Sequence, residues 1–301
     1  QKPDVIVTID SPGFVFAVIR RLKTRGCPRV HYVAPTIWAW RAGRVRKFRK
    51  HFDHLLTLFP FEPPLFAAAG LNATFVGHPV AEGNVDAGDG PAFRIRHGIA
   101  ADATVLAVLP GSRGGEVSRL IPIARATLSR VMPENPDVEI VIPVAANVRE
   151  RITEMVADWP WKVTVVDGAN ERYDAFAAAD LALATSGTVA LELPWAGVPT
   201  VVMYRVPWLT GEIARRMIRV RFASIVNIVA DREVLPEFLQ SRCRPELISE
   251  ILRELLADPD RRKTIGVEAQ RISRDLEPGG ERPSVRAARA VREIVAAVRN
   301  S

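Results

Sequence analysis

Short runs of Val, Ile and Leu recur along the chain, and between them lie longer stretches whose apolar residues return at helical spacing. Runs that are apolar throughout, rather than alternating, belong to parallel sheets covered on both faces by crossover helices. The pattern therefore predicts an α/β protein. In the first part, strands are expected at 5–9, 30–33, 54–58 and 74–76, with helices after Gly13, after Arg41 and around 64–69. These are too few for a complete doubly wound domain. Residues 81–91, AEGNVDAGDGP, mix Gly, Asp, Asn and Pro without apolar periodicity and read as a linker. Beyond it TVLAVLP, VEIVIPV, KVTVVD, LALAT and PTVVMY supply at least five parallel strands, a second Rossmann-like sheet. The tail from Pro245 is helical and closes on PSVRAARAVREIVAAV, with Pro283 near the helix start and Ser284 as candidate cap. The expected organisation is a partial first domain over 1–80, the linker over 81–91, a second domain over 92–275 and a C-terminal helix over 276–301. No internal repeat or low-complexity tract interrupts it.

Composition narrows the class. The 301 residues are 48% hydrophobic and 25% charged, ordinary for a globular chain and sufficient for two domains. The net charge of +7 points to an anionic partner: nucleic acid, a phosphorylated small molecule or an acidic membrane surface. Cys27 and Cys243 stand far apart, which supports neither a disulfide framework nor a zinc site and makes the cytosol the default compartment. The most hydrophobic stretch, 181–204, is broken by Glu192, Pro194, Gly197 and Pro199, so it is not read as a membrane span. No segment reads as a signal peptide. The chain opens on Gln1 and enters a strand at once, so a further segment is expected upstream.

Candidate chemistry sits where strands give way to helices. LPGSRGGEVSRL, residues 109–120, sets Gly-Ser-Arg-Gly-Gly between a strand and a helix. Backbone N–H groups at a helix start can hold phosphate, and Arg113 adds a bidentate donor. The loop matches neither a Walker loop nor G-x-G-x-x-G. An equally weighted alternative is a capped helix whose first turn is served by Ser112 and Glu116. ATSGTVALELPWAGVPTVVMY, residues 184–204, repeats the strand–turn–helix arrangement and carries one carboxylate, Glu192. Ser186, Gly187 and Thr188 would lie at the carboxyl edge of the sheet, where open α/β sheets bind ligands. Glu192, one turn beyond Thr188, could accept both hydroxyls of a ribose. A solvated helix charge is the alternative, less favoured because an unpaired carboxylate among Ala190, Leu191 and Leu193 would be costly. In VTIDSPGF, Asp10 could take a proton from a substrate hydroxyl, although capping the next helix is the commoner outcome for such an acid. His78, in FVGHPV, ends the last strand before the linker. A lone His is usually structural, but an interdomain edge adds weight to a role in the site.

Between Ser11 and Phe52 there are many Arg and Lys residues and no acid, and PTIWAWRAGRVRKFRKHF adds Trp38, Trp40, Arg44, Lys47 and Phe48. RVPWLTGEIARRMIRVRF, residues 205–222, brings a second group with Trp208, Met217 and Phe222. Mixed rings and cations suit an anionic membrane interface. A solvated face comes second, and nucleic acid would also fit the charge.

Taken together, HYVAPTIWAWRAGRVRKF, LFPFE, FVGHP, LPGSRGGEV, ATSGTVALE and SIVNIVADREVLPEFLQ resemble the lipid-A-disaccharide synthase family. The resemblance runs in order over nearly all of the chain and is weakest in the linker and at 256–280. It implies a GT-B glycosyltransferase of family 19, with two Rossmann-like domains facing a cleft and the first incomplete in this chain. It also implies transfer of 2,3-diacylglucosamine from UDP-2,3-diacylglucosamine to 2,3-diacylglucosamine 1-phosphate, with inversion, giving UDP and the β-1,6 lipid A disaccharide. The implied setting is cytoplasmic and peripheral on the inner membrane of a Gram-negative bacterium, in lipopolysaccharide biosynthesis. No cofactor, no catalytic metal and no nucleic acid are implied, and a homodimer is.

On the same resemblance, Asp10 matches the family's proposed base. Arg113 and the Ser186-Gly187-Thr188 turn would hold the diphosphate, and Glu192 the ribose. Asn227, Glu237 and Gln240 match further donor-binding positions. Two departures stand out. Gly13-Phe14-Val15 replaces the usual Asp-Phe-Asn near Asp10, and the family's N-terminal Gly-Glu-x-Ser-Gly-Asp loop has no counterpart. The rivals are another GT-B enzyme or a UDP-sugar epimerase acting on a soluble substrate, a UDP- or lipid-binding module without turnover, and a nucleic-acid binder that no recognised motif supports.

Overall fold

The structure, a computed structural model, describes residues 3–22, 26–36, 44–206, 221–277 and 279–299. They fall into two compact units, one made of the residues up to Gly83 with those from Arg274 onward, the other of those between.

In the first unit β1 (Ile6–Ile9), β2 (Arg29–Tyr32), β3 (His54–Thr57) and β4 (Asn72–Phe75) form a parallel sheet in sequential order. The helices α1 (Pro12–Ile19), α2 (Arg44–Arg49) and α3 (Glu62–Ala67) alternate with them. Phe16, Ile19, Phe48, Phe52, Leu55 and Phe66 build one core. A separate cluster joins Val30, Leu56 and Val76 to Ala290 of the C-terminal helix, Pro283–Arg299. That helix starts at Pro283, so Ser284 lies in its first turn rather than at its cap, and the Ser284 N–H donates to the Glu82 carboxylate. β1 is an edge strand and exposes Val7 and Ile9.

The second unit holds α4 (Gly90–His97), β5 (Val105–Leu109), α5 (Gly114–Val131), β6 (Glu139–Val144), α6 (Arg149–Val156), β7 (Val163–Asp167) and α7 (Ala169–Ala178). There follow β8 (Leu181–Thr185), α8 (Val189–Trp195), β9 (Thr200–Tyr204), α9 (Ile225–Ala230), β10 (Glu237–Leu239), α10 (Pro245–Ala257) and α11 (Pro259–Arg274). Its strands run parallel in the order β10-β9-β8-β5-β6-β7. Central strands VLAVL and LALAT are buried along their whole length, which explains their unbroken apolar character. Against them α5 lays Val117, Leu120, Ile121, Ala124, Leu128 and Val131, which recur at helical spacing on one face. Part of the predicted linker is a packing element. Asp89 caps α4 by accepting from the Ala92 N–H at 2.9 Å, and a Cβ on Gly90 would lie 2.4 Å from the Ala177 carbonyl oxygen.

The chain steps from β5 outward to β7, then returns to β8 on the other side of β5 and continues to β10. The strand order therefore reverses between β5 and β8. At such a switch point the loops on the two sides diverge and leave a crevice at the carboxyl ends of the strands. No helix among the described residues is long and apolar enough to cross a membrane.

Candidate active site

A cavity of about 270 Å3 lies at this switch point. The β5–α5 loop contributes Gly111, Ser112 and Arg113, and α5 contributes Glu116. The turn after β8 adds Ser186, Gly187 and Thr188, α8 adds Glu192, and α7 adds Arg172. Gly111 has φ 116°, and a Cβ there would come within 2.7 Å of the Glu116 carboxylate, so the tight passage from strand to helix requires glycine. The Ser112 carbonyl accepts from Asn147 Nδ2 at 2.9 Å, which fixes the loop. Arg113 occupies the N-cap position of α5, and its side chain makes no capping hydrogen bond. Glu116 instead accepts from Arg113 Nη1 at 3.0 Å. The start of this long helix adjoins the loop, an arrangement suited to an anion.

Glu192 has a partner. Arg172 Nη2 donates to Glu192 Oε1 at 3.2 Å and to the Tyr173 hydroxyl at 3.0 Å, with its guanidinium 4.8 Å from the Tyr173 ring centroid. The premise of an unpaired carboxylate is therefore corrected. Burial raises the Glu192 pKa above its ordinary value, and the Arg172 charge pulls it back down. Arg172 escaped the sequence reading because in ERYDAF it resembles any surface arginine of a helix. The one available signal was the need of a carboxylate in an apolar run for a nearby cation. Ser186 Oγ donates to the Ala223 carbonyl at 3.2 Å, while Thr185 Oγ1 is buried and bonds to no protein atom.

Asn227, Glu237 and Gln240 do not line this cavity. Asn227 is fully buried: Nδ2 donates to the Leu235 carbonyl and to Glu237 Oε1, both at 2.8 Å, and Oδ1 accepts from the Val234 and Leu235 N–H groups at 2.8 and 2.9 Å. Glu237 accepts further bonds from the Ala223 and Ser224 N–H groups at 2.8 and 2.7 Å. Burial raises its pKa, opposed by these hydrogen bonds. Both side chains are thus engaged within the protein, and their link to the crevice is indirect, through Ala223 to Ser186. Gln240 opens a 3-10 turn at φ 51°.

In the first unit, Asp10 is exposed at the end of β1 and its N–H donates to the Tyr32 carbonyl at 3.0 Å. Asp10, Ser11 and Val33 have φ of 47°, 45° and 71°. Non-glycine residues in this region carry strain of about 1–3 kcal/mol each, and such strain gathers at functional sites. Near them His31 is fully buried against Phe48 and Phe52, with Nδ1 2.8 Å from Thr8 Oγ1. Burial lowers its pKa to about 4, and the Asp10 charge acts against that shift. His78 Nδ1 accepts from the Val80 N–H at 3.1 Å and so caps a 3-10 turn, Pro79–Glu82. Its pKa is also lowered by burial to about 4. That cap is a structural task.

The membrane-facing expectation needs correction at two rings. Phe48 is 1% exposed and meets Phe16 edge-on at 4.8 Å, and Phe222 is also buried. Each is worth more against apolar neighbours than in water, and neither faces outward. Lys47 is exposed, with Nζ 4.2 Å from the Phe16 ring centroid. Arg44 begins α2, with its side chain outside the described residues, as are Trp38, Trp40, Trp208 and Met217 altogether.

Two parallel α/β sheets in one chain, with a crevice at the second sheet's switch point, define the GT-B fold. MurG of Acinetobacter baumannii shares the fold at TM-score 0.55 and 17% identity, over 90% of this chain and 69% of that one. So does WaaG, a glycosyltransferase involved in lipopolysaccharide biosynthesis, at TM-score 0.53 and 16% identity, over 90% and 79%. The UDP-GlcNAc 2-epimerase of Neisseria meningitidis, solved with UDP-GlcNAc bound, matches at TM-score 0.60 and 14% identity, over 92% and 75%. The chain belongs to the lipid-A-disaccharide synthase family: the model described as Lipid-A-disaccharide synthetase matches residues 1–291. The lipid-A-disaccharide synthase of Rhodospirillum centenum is 49% identical over 297 residues, 98% of this chain and 74% of that protein. That of Gluconobacter oxydans is 45% identical over 273 residues, 91% of this chain and 65% of that protein. The chain is thus a glycosyltransferase of lipid A disaccharide synthesis.

Proposed function

We propose that the chain moves 2,3-diacylglucosamine from its UDP carrier to the 6-hydroxyl of 2,3-diacylglucosamine 1-phosphate, releasing UDP and forming the β-1,6 disaccharide with inversion. The observation that carries this reading is the meeting of Arg113, the Ser186–Gly187–Thr188 turn and Glu192 in one crevice of a chain from this family. Glu192 accepts the ribose hydroxyls. Arg113 and the backbone N–H groups at the start of α5 neutralise the charge that grows on UDP as the sugar–phosphate bond breaks. Asp10 takes the acceptor's hydroxyl proton while that oxygen attacks the anomeric carbon from the face opposite UDP, so the configuration inverts. The Neisseria epimerase binds UDP-GlcNAc on the same fold, which favours a UDP-sugar donor. Both substrates carry acyl chains, so the enzyme draws them from the inner-membrane surface, with exposed cations such as Lys47 toward anionic headgroups.

Incubation with both substrates in detergent, followed by mass spectrometry, tests the reading. Disaccharide and UDP are expected from the wild type, with a loss of about 10²–10⁴-fold in Asp10→Asn, the range for a general base. Equal product from both proteins would remove Asp10 from the mechanism. Absence of product from the wild type would overturn the reaction.

A further inference from the structure

Two Arg–Glu pairs line the crevice, Arg113–Glu116 at 3.0 Å and Arg172–Glu192 at 3.2 Å, and they are not alike. The Arg113 side chain is 82% exposed, whereas that of Arg172 is 33% exposed. Arg172 serves both of its acceptors, the Tyr173 hydroxyl and Glu192, through the same nitrogen, Nη2. Its Nε is buried and hydrogen-bonds to no protein atom. Thr185, 4% exposed and also on the crevice wall, has an Oγ1 in the same condition. Buried polar groups in folded proteins nearly always find partners, and these two side chains both line the cavity, where a small turn toward a ligand's acceptors would satisfy them.

We infer that Arg172 is a substrate-contacting residue of the donor site, taking a phosphate group of the nucleotide while Glu192 keeps the ribose; this rests on the UDP-sugar reading above. A guanidinium is donor-only and planar, and phosphate oxygens are acceptors whose spacing matches its fork. Glu192 and Tyr173 hold Arg172 in place beforehand, which reduces the ordering cost when a phosphate arrives. Thr185 supplies one more hydroxyl donor. Arg172 thus adds a positive charge beside the leaving group that no motif in the sequence marks.

The test compares UDP with uridine, which has the base and ribose but no phosphate. Each displaces a fluorescent UDP analogue from the wild type, Arg172→Met and Arg172→Lys, with thermal melts to establish folding. Arg172→Met should weaken UDP by about tenfold to a hundredfold, the range for a charge-assisted hydrogen bond, and uridine by no more than about threefold. Arg172→Lys, a point charge without the fork, should fall between. Equal losses for UDP and uridine would overturn the inference, because Arg172 would then act only by holding Glu192. Unchanged UDP affinity would overturn it as well. Wild-type protein that binds no UDP would sink the donor reading itself, and the inference with it. Should the methionine variant not fold, Arg172→Gln carries the same comparison.

Discussion

Replacing Asn227 with alanine separates an internal role from a ligand-binding one. Its side chain makes four hydrogen bonds, all within the protein and all between 2.8 and 2.9 Å. Alanine leaves the Val234 and Leu235 N–H groups, the Leu235 carbonyl and one bond to Glu237 unmatched, in a place where Asn227 is fully buried. At about 1–3 kcal/mol for each buried group left unsatisfied, and allowing for water entry and relaxation, the loss is about 3–6 kcal/mol. That is a large fraction of the 5–15 kcal/mol typical of a folded domain. Urea unfolding, with matched m-values, measures the change. UDP affinity, measured in the same samples below the unfolding transition, should fall as well, because Glu237 holds the Ala223 and Ser224 N–H groups and Ala223 holds Ser186. A variant destabilised by less than about 1 kcal/mol would refute the argument. If that stable variant also lost UDP binding, Asn227 would be a direct ligand residue.

Acid should weaken the first unit through His31. With a folded pKa of about 4 against an ordinary 6.5, the unfolded chain binds the proton first as pH falls, so stability is lost from about pH 6.5 downward. At pH 5 the loss is about 2 kcal/mol for this group, and His31→Leu should lack that share of the difference between pH 7 and pH 5 in urea unfolding. An unchanged difference would refute it. Glu192 carries the opposite sign. Its folded pKa is raised, so its favourable contribution is present below the ordinary carboxylate range and is lost as pH rises through the raised value. Glu192→Gln should therefore gain stability relative to wild type as pH increases from 4 to 7, through the ordinary carboxylate range and the raised value, and a flat difference would argue against the shift. Phe48→Ala should cost about 3–5 kcal/mol in unfolding yet leave binding to anionic vesicles unchanged; the reverse outcome would return the ring to the membrane.

The sheet of the second unit was legible because VLAVL and LALAT are buried on both faces, and burial leaves an apolar mark on every position. β10 left no such mark: its three residues, EFL, include a carboxylate expected to bind the donor and instead folded inward onto Ala223, Ser224 and Asn227. The family resemblance singled out Asn227 and Glu237 but gave no direction for their side chains, since an Asn beside a Glu suits a ligand and a buried network equally well. The basic-aromatic stretch misled for a related reason. Val45, Phe48 and Phe52 are three and four residues apart and form one buried stripe, a helical periodicity that the surrounding arginines obscured. Arg172 was illegible on any local criterion, because its partner Glu192 lies across a strand and a turn and only the fold brings them within 3.2 Å.

A carboxylate on each side of a crevice proposed to take a diphosphate looks unfavourable until the pairs are considered as placeholders. Two arginines without partners would repel each other and lose much side-chain freedom when a ligand arrived. Glu116 tethers a highly exposed guanidinium, and such a pair contributes little in water, so phosphate oxygens can take over its donors easily. Glu192 and Arg172 are less exposed, and there a full exchange would strand a buried carboxylate. The ribose diol resolves that conflict in the proposed complex, because it gives Glu192 new donors at the moment a phosphate gives Arg172 new acceptors. A ligand with only one of the two groups leaves one member of the pair unmatched. On the proposed assignment the crevice would favour a ribose joined to phosphate over either part alone, and the preference would trace to one ion pair between α7 and α8.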